Sequence, residues 1–363
     1  MVKLFFLLSG ENKTLPAAEV KAILEAEGYT YTNPKELDQV LQLESDPQSV
    51  KAVQIRSAYT RVCAQELLSA DTNYTAILNA AAQTDFSTVL KNGESFVVRI
   101  NRIKNYADVQ INTMTLEIEL GKQILSQTPG TTVNLKNPDK TFIGIITNDK
   151  LILGLKLTDI TSKTFSERRP RKKPFFHPSA MPSKMARCMV NLAHAKTESV
   201  LLDPFCGTGT SLIEATFIGC HAVGVDAQHR MILGTKKNLT YFGIDAEGLI
   251  LGDSRKIPLF RVDAVVTDPP YGRSSSTLKS TTMQLVKDVM SSVHALLDSG
   301  KRICIALPIK LNQAGEVEHL SKEIEEYAQN VGFKKLEAHT VYVHRSLTRE
   351  IVIYEKTQPT PVM

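Results

Sequence analysis

LLDPFCGTGTSL, residues 201–212, holds an apolar run ending in Asp203, a loop with Gly207 and Gly209, and the start of a segment rich in Leu, Ile and Ala. The pattern reads as a buried strand, a tight turn and a helix, the repeating unit of an open α/β sheet. Glycine at both loop positions lets a ligand approach the backbone, at the strand ends where such sheets bind ligands. A loop for a nicotinamide cofactor is the rival reading. It needs a third glycine at 212, where Leu212 stands, and Asp203 ahead of the glycines would repel a pyrophosphate. The loop therefore suits a ligand that is cationic or neutral at this point.

The same pattern recurs from residue 175 onward. SVLLDP, HAVGVD, GLILGD, DAVVTDPP and RICIALP are apolar, strand-like runs separated by helix-length segments, and HTVYVHRSLTREIVIYE reads as a closing hairpin. Strands buried on both faces and alternating with helices predict a parallel sheet covered on both sides, with an antiparallel last strand. Four of these strands end in an acid: Asp203, Asp226, Asp253 and Asp268. One such acid alone is ordinarily a cap or turn residue; four on successive strands line one edge. Asp226 is placed to accept both hydroxyls of a ribose, Asp253 to hold the exocyclic amine of an adenine, and Asp203 to accept from an amino group. Together they describe S-adenosylmethionine, whose cation favours an acid-lined crevice.

VVTDPPYG, residues 265–272, ends the fourth of these strands. The exocyclic amine of a nucleobase is a poor nucleophile, because its lone pair is delocalised into the ring. To attack a methyl group it must pyramidalise, and acceptors on both N–H groups stabilise that geometry in the transition state. The carboxylate of Asp268 and the carbonyl of Pro269 are the expected acceptors, and Tyr271 offers a flat face for the base. The prolines remove competing donors and fix φ. The product ammonium can lose its proton to Asp268 or to water, so neither a metal nor a dedicated histidine is required. His177 and His344 are read as structural or binding residues. GRSSSTLKS, residues 272–280, is polar enough to serve as a lid.

A chain of 363 residues has room for two or three domains. With 42% hydrophobic and 22% charged residues it has the balance of a soluble globular protein, and no apolar run is long enough to span a bilayer. In MVKLFFLLSGENK the apolar core, Leu4 to Leu8, is too short for a signal peptide and reads as a first buried strand. The 5 cysteines are scattered, without a CxxC pair, which argues against a disulfide framework or a zinc site and for a reducing cytoplasm. Net charge is +5, but residues 161–190 hold eight Lys/Arg against the single Glu167. That run is either a solvated linker or a phosphate-contacting surface, and Arg171, Lys172 and Lys173 are its candidate contacts.

The N-terminal part reads as α+β. LFFLL and VLQLES are strands around the helix LPAAEVKAILEAEG, and a second helix is expected within 46–69. TAILNAAAQTDFSTVL and TMTLEIELGKQILSQTP have helical spacing, ESFVVRINRIK is a strand, and VNLKNPDKTFIGIITNDKLILGLKL holds two strands around a turn. The expected division is 1–70, 71–158, a linker at 159–174, and an α/β domain over 175–363.

LLDPFCGTGT, DPPYGRSS and RRPRKKPFFHPSAMPSKMARCMVNLA together resemble the archaeal tRNA guanine-N2 methyltransferases that act at guanosine 10. SGENKTLPAAEVKAIL is similar to their ferredoxin-like first domain. SFVVRINRIK and VNLKNPDKTFIGII are similar to their THUMP domain, an RNA-binding module. The resemblance implies a Rossmann-like methyltransferase domain behind ferredoxin-like and THUMP domains, with tRNA as partner and a monomer as a workable state. It assigns Asp268, Pro269 and Tyr271 to the target guanine. Asp203, Gly207, Gly209, Asp226 and Asp253 fall around S-adenosylmethionine, with Phe176, His177 and Pro178 near its methionine end. Arg99, Arg102, Lys104 and Lys136 become candidate RNA contacts. Relatives that methylate other tRNA guanosines or ribosomal RNA share the motif, so those targets stay open. A DNA amino-methyltransferase shares the DPPY chemistry, and an RNA-binding module without turnover is the reading from another class.

Overall fold

The computed structural model describes residues 1–104, 111–246, 248–270, 282–311, 317–344 and 347–358. Two compact units emerge. One comprises residues 1–20, 28–55 and 59–161; the other comprises 21–27, 56–58 and 162–363.

The first unit is built on β1 (Val2–Leu8), α1 (Leu15–Ala26), β2 (Tyr31–Leu37), β3 (Val40–Ser45), α2 (Ser49–Arg56) and β4 (Thr60–Asp71). It continues with α3 (Tyr74–Gln83), β5 (Ser95–Arg102), α4 (Thr113–Gln127), β6 (Thr132–Val133), β7 (Lys140–Thr147) and β8 (Lys150–Asp159). All eight strands join one sheet in the order β2-β3-β1-β4-β8-β7-β5-β6. Because β4 pairs with β8 along its length, the regions before and after residue 70 share a sheet rather than standing on separate ones. β5 and β7 run parallel, which demands a crossover, and α4 lies in it. Leu116, Leu120 and Ile124 put one stripe of α4 into the core, where Phe142 meets Phe86 and Phe96 edge to face at 5.5 and 5.7 Å. Asn112 caps that helix by accepting from Thr115 N at 3.1 Å.

One sequence expectation needs correction in this unit, and one strand has no sequence reading. The helix expected within 46–69 is only α2, and the rest is the long strand β4. TRVCAQELLSAD is rich enough in apolar residues to pass for a helix, but its Val62, Cys63 and Ala64 are buried between β1 and β8. The strand β2, YTNPKEL, leaves no signature in the sequence because it is an edge strand: it carries Pro34 and is almost wholly exposed, so it has no apolar alternation to detect.

The second unit contains α5 (Lys163–Glu167), α6 (Ser183–Leu192), β9 (Val200–Asp203), α7 (Thr210–Thr216), β10 (His221–Asp226), α8 (His229–Tyr241) and β11 (Leu249–Leu251). β12 (Val262–Thr267), α9 (Thr282–Leu296), β13 (Leu297–Leu311), β14 (Val317–His319), α10 (Leu320–Val331), β15 (Phe333–His344) and β16 (Leu347–Lys356) complete it. The sheet order is β11-β10-β9-β12-β13-β16-β15, with β14 paired to β13. The first five strands are mutually parallel, and β16 is antiparallel to both β13 and β15. This is the doubly wound sheet with an antiparallel end that the strand pattern predicts. Val286, Val289, Met290 and Val293 of α9 pack with Ile324 and Ala328 of α10 and with Ile303 and Ile305 of β13 in a hydrophobic core.

The chain leaves β9 toward β10 and β11 on one side and returns to β12 and β13 on the other. A crevice must therefore open between the carboxyl ends of β9 and β12, the switch point where such sheets bind ligands.

The segment 159–174 does not behave as a linker beyond Ser162. It forms α5 and a turn of 3₁₀ helix at Pro170–Lys172, and its side chains are built into the second unit. Arg168 Nε and Nη2 donate to Glu214 of α7 at 2.7 and 3.0 Å, and Arg187 joins the same buried carboxylate at 3.0 Å. The residues at 56–58 also belong here, with Arg56 Nη2 donating to Asn191 Oδ1 of α6 at 3.1 Å.

Candidate active site

At the switch point lies a cavity of about 80 Å³, lined in part by Asp203, Phe205, Gly207, Ser211, Thr267 and Asp268. β9 and β12 pair with Leu202 opposite Val265, so Asp203 and Asp268 end adjacent strands. No lysine or arginine lines the cavity among the described residues.

Asp203 is 4% exposed. Its Oδ1 accepts from Phe205 N at 3.0 Å and from Thr267 Oγ1 at 3.1 Å, and its Oδ2 accepts from Ser211 Oγ. Burial pushes its carboxyl up to about 7, against those hydrogen bonds, and the charge of nearby Asp268 pushes the same way. The carboxylate thus braces β9, the loop and β12 together while lining the cavity.

Gly207 and Gly209 have φ of 52° and 76°, a region that disfavours any side chain. The loop they shape is anchored from α8 and from the next strand. Thr235 Oγ1 donates to Gly207 O at 2.6 Å, Asn238 Nδ2 donates to Thr208 O at 2.9 Å, and Gly207 N donates to Asp226 Oδ2 at 3.1 Å. Asp226 also accepts from Gln228 N at 2.8 Å, and burial raises its carboxyl above the usual range. Asp253 is gripped by Arg255 at 2.9 and 3.0 Å, which holds its carboxyl below the usual range, and neither Asp226 nor Asp253 lines the cavity.

Asp268 lines the cavity, and its Oδ2 lies 2.9 Å from Arg349 Nη2 of β16. Pro269 is buried. Tyr271 and the expected lid at 272–280 lie outside the described residues.

Of the stretch Phe176 to Pro178, no residue lines the cavity; its neighbours Ser179, Ala180 and Met181 do. His177 Nδ1 accepts from Ser179 N at 3.3 Å and lies 2.7 Å from Ser179 Oγ, so its ring shapes the turn that presents them. The exposed ring of Phe176 stacks under the guanidinium of Arg171 at 5.9 Å.

The basic candidates divide by exposure. Arg171 and Lys172 are exposed, but Lys173 is buried and donates to Thr210 Oγ1 at 2.7 Å, so it is a packing residue and not a surface contact. Burial lowers its ammonium to about 8. In the first unit Lys136 is exposed on the loop before β7. Arg99 donates to Leu135 O at 3.1 Å, Arg102 to Ile111 O at 2.6 Å, and Lys104 pairs with Asp38 at 2.6 Å. These three are ordered by their own unit, and Arg99 and Lys104 remain exposed.

Ser211, Thr267, Ser179 and Arg349 are not singled out by the sequence reading. The first two are polar residues inside or beside the quoted motifs and could have been found there. Arg349 arrives from a distant strand and leaves no local signal.

A family model for the THUMP domain matches residues 71–156, and one described as an RMKL-like methyltransferase domain matches residues 170–339. The solved structure of TrmN from Thermus thermophilus superposes with a TM-score of 0.51 at 17% identity, covering 98% of this chain and 99% of that one. The tRNA (guanine(10)-N2)-dimethyltransferase of Pyrococcus abyssi is 34% identical over 80% of this chain and 82% of its own. Its counterpart in Methanothermobacter thermautotrophicus is 35% identical over 98% of this chain and 100% of its own. With a relative matched from end to end at that identity, the chain belongs to the archaeal tRNA (guanine(10)-N2)-dimethyltransferase family.

Proposed function

We propose that this chain transfers methyl groups from S-adenosylmethionine to N2 of the guanosine at position 10 of tRNA, forming N2-methylguanosine and then N2,N2-dimethylguanosine. The observation that carries the reading is the placement of the Asp268 carboxylate at the switch point, beside an acid-lined loop, in a chain of this family.

The donor set suits the cofactor. Carboxylates without a lysine or arginine among the cavity's described lining fit a ligand carrying sulfonium and ammonium charge. Asp226, which anchors the loop at Gly207 N beside the cavity, would take the ribose hydroxyls. S-adenosylmethionine, when bound, supplies a methyl group activated by its sulfonium. Asp203 would hold its amino group, the Gly207–Gly209 loop would lie against it, and Ser179 to Met181 would close its methionine end. Asp253 would meet the adenine amine only by sharing its carboxylate with Arg255.

Asp268 and the Pro269 carbonyl accept from the two N–H groups of guanine N2, which aims the nitrogen lone pair at the methyl. Their effect is greatest as positive charge develops on nitrogen, so they lower the barrier more than they tighten binding. The proton lost from the product ammonium passes to Asp268 or to water. Tyr271 enters by its place in the motif, as a face on which the guanine stacks, worth about 1–3 kcal/mol per base in other systems. The exposed Arg171 and Lys172 of the second unit, and Lys136 and Arg99 of the first, are the candidate phosphate contacts of each, and a cytoplasmic monomer acting on tRNA is the working form.

Purified protein, labelled cofactor and unmodified tRNA test the reading. Label in N2-methylated guanosine at position 10 is expected; label only in another base, or in no base, contradicts it.

A further inference from the structure

Arg349 reaches the reaction centre from an unexpected place. It lies on β16, opposite Pro308 of β13, and β13 separates β16 from β12, the strand that delivers Asp268. Strands stand roughly 4.8 Å apart, so the side chain spans about two strand spacings to bring Nη2 within 2.9 Å of Asp268 Oδ2. Its side chain is only 8% exposed and that of Asp268 17%. Burying a guanidinium costs several kcal/mol unless its partner is well placed, and replacing such a pair by apolar residues is often neutral or stabilising. A fold that needed only packing here would not require an arginine.

The neighbouring charges give the pair its purpose. Asp203 and Asp268 end adjacent strands at the cavity, and the charge of Asp268 pushes the Asp203 carboxyl upward. A cation on one of them decides which stays ionised. Asp203 from β9 and Arg349 from β16 are among the charged groups that face Asp268. Glu350, next along β16, projects to the other face of the sheet and pairs with His319 Nδ1 at 3.1 Å.

We propose that Arg349 is the positioning residue for methyl transfer: it keeps Asp268 as the ionised member of the pair and fixes the plane in which its carboxylate meets the target amine. The proposal rests on the reading of Asp268 as the acceptor for guanine N2. Arg349 acts through Asp268, so removing it changes turnover and not the affinity for tRNA or cofactor.

The test is a double-mutant cycle on the full chain, with Arg349→Gln, Asp268→Asn and the pair, assayed by steady-state methylation of unmodified tRNA from acid to alkaline pH. Circular dichroism and cofactor binding report folding. Arg349→Gln should lower kcat on the order of 100-fold with KM values little changed, and should move the acidic limb of kcat upward by about 1–3 pH units. Added to Asp268→Asn it should cost nothing further, because the residue it serves is already gone. Losses that multiply in the double variant, an acidic limb that stays in place, or an unchanged kcat would each overturn the proposal. Should Arg349→Gln fail to fold, Arg349→Lys carries the test: an unmoved limb with lowered kcat supports positioning, and wild-type kcat refutes it. A wild-type enzyme that does not methylate guanine defeats the underlying reading instead. Activity that is lost in Asp268→Asn but intact in Arg349→Gln defeats only the role given to Arg349.

Discussion

Asp203 and Asp268 look equivalent in the sequence, each an acid followed by proline at a strand end, yet their surroundings separate them. Asp203 is enclosed and takes three hydrogen bonds from its own fold, while Asp268 faces an arginine. The consequence for Asp203 is a dependence of stability on pH. Burial raises its carboxyl from the usual range to about 7, so the folded protein binds a proton that the unfolded chain releases near pH 4. That contribution to stability is present in acid and is lost as pH rises from about 4 to about 7. Denaturant midpoints of the protein without cofactor should show this fall, and Asp203→Asn should flatten it; an identical pH profile in the variant would exclude Asp203 as its source. The motif residues were legible because their chemistry needs particular residue types next to one another. Arg349 was not legible, since a contact between distant strands is fixed by sheet order and not by spacing.

At the level of elements, the segment read as a linker shows how an apparent surface feature becomes structure. Arg168 and Arg187 converge on Glu214, which has no exposed surface, and Arg168 also lies 4.7 and 4.9 Å from the rings of Phe165 and Phe217. Glu214→Gln leaves two guanidinium groups without their counter-charge in a buried site. It should destabilise the protein by about 3–5 kcal/mol, read as a lower melting temperature. A loss below about 1 kcal/mol would place the network in solvent-like surroundings. From sequence, positive charge in this run suggested solvent, because nothing nearby in the chain reveals that Glu214 on α7 will meet it. The doubly wound sheet was legible for the opposite reason: each strand carries its own apolar run and its own terminal acid. The strands β2 and β4 were harder, one being too exposed and the other too apolar and long to show a period of two.

At the scale of the molecule, the proposed RNA contacts are the basic residues left exposed once those that pack are set aside. After Lys173, Arg168 and Arg187 are assigned to packing, Lys163, Arg169, Arg171 and Lys172 remain exposed in the basic run. Arg171→Glu with Lys172→Glu should weaken tRNA binding at low salt and reduce the slope of log affinity against log salt by about 2, roughly one for each phosphate no longer neutralised. Unchanged affinity and slope would return both residues to the solvated surface. Turnover at saturating tRNA should be little affected, because neither residue lines the cavity.

The Asp268 carboxylate is proposed to shape one amino nitrogen, and methyl transfer by Asp268→Ala tests that role directly. Unmodified tRNA is incubated with labelled S-adenosylmethionine, and the nucleosides are identified by mass spectrometry and mapped by position. Wild-type protein should label guanosine 10 at N2. The variant should bind tRNA and cofactor normally while its rate falls on the order of 100- to 1,000-fold. Wild-type rates from Asp268→Ala, or label in adenine or cytosine, would contradict it.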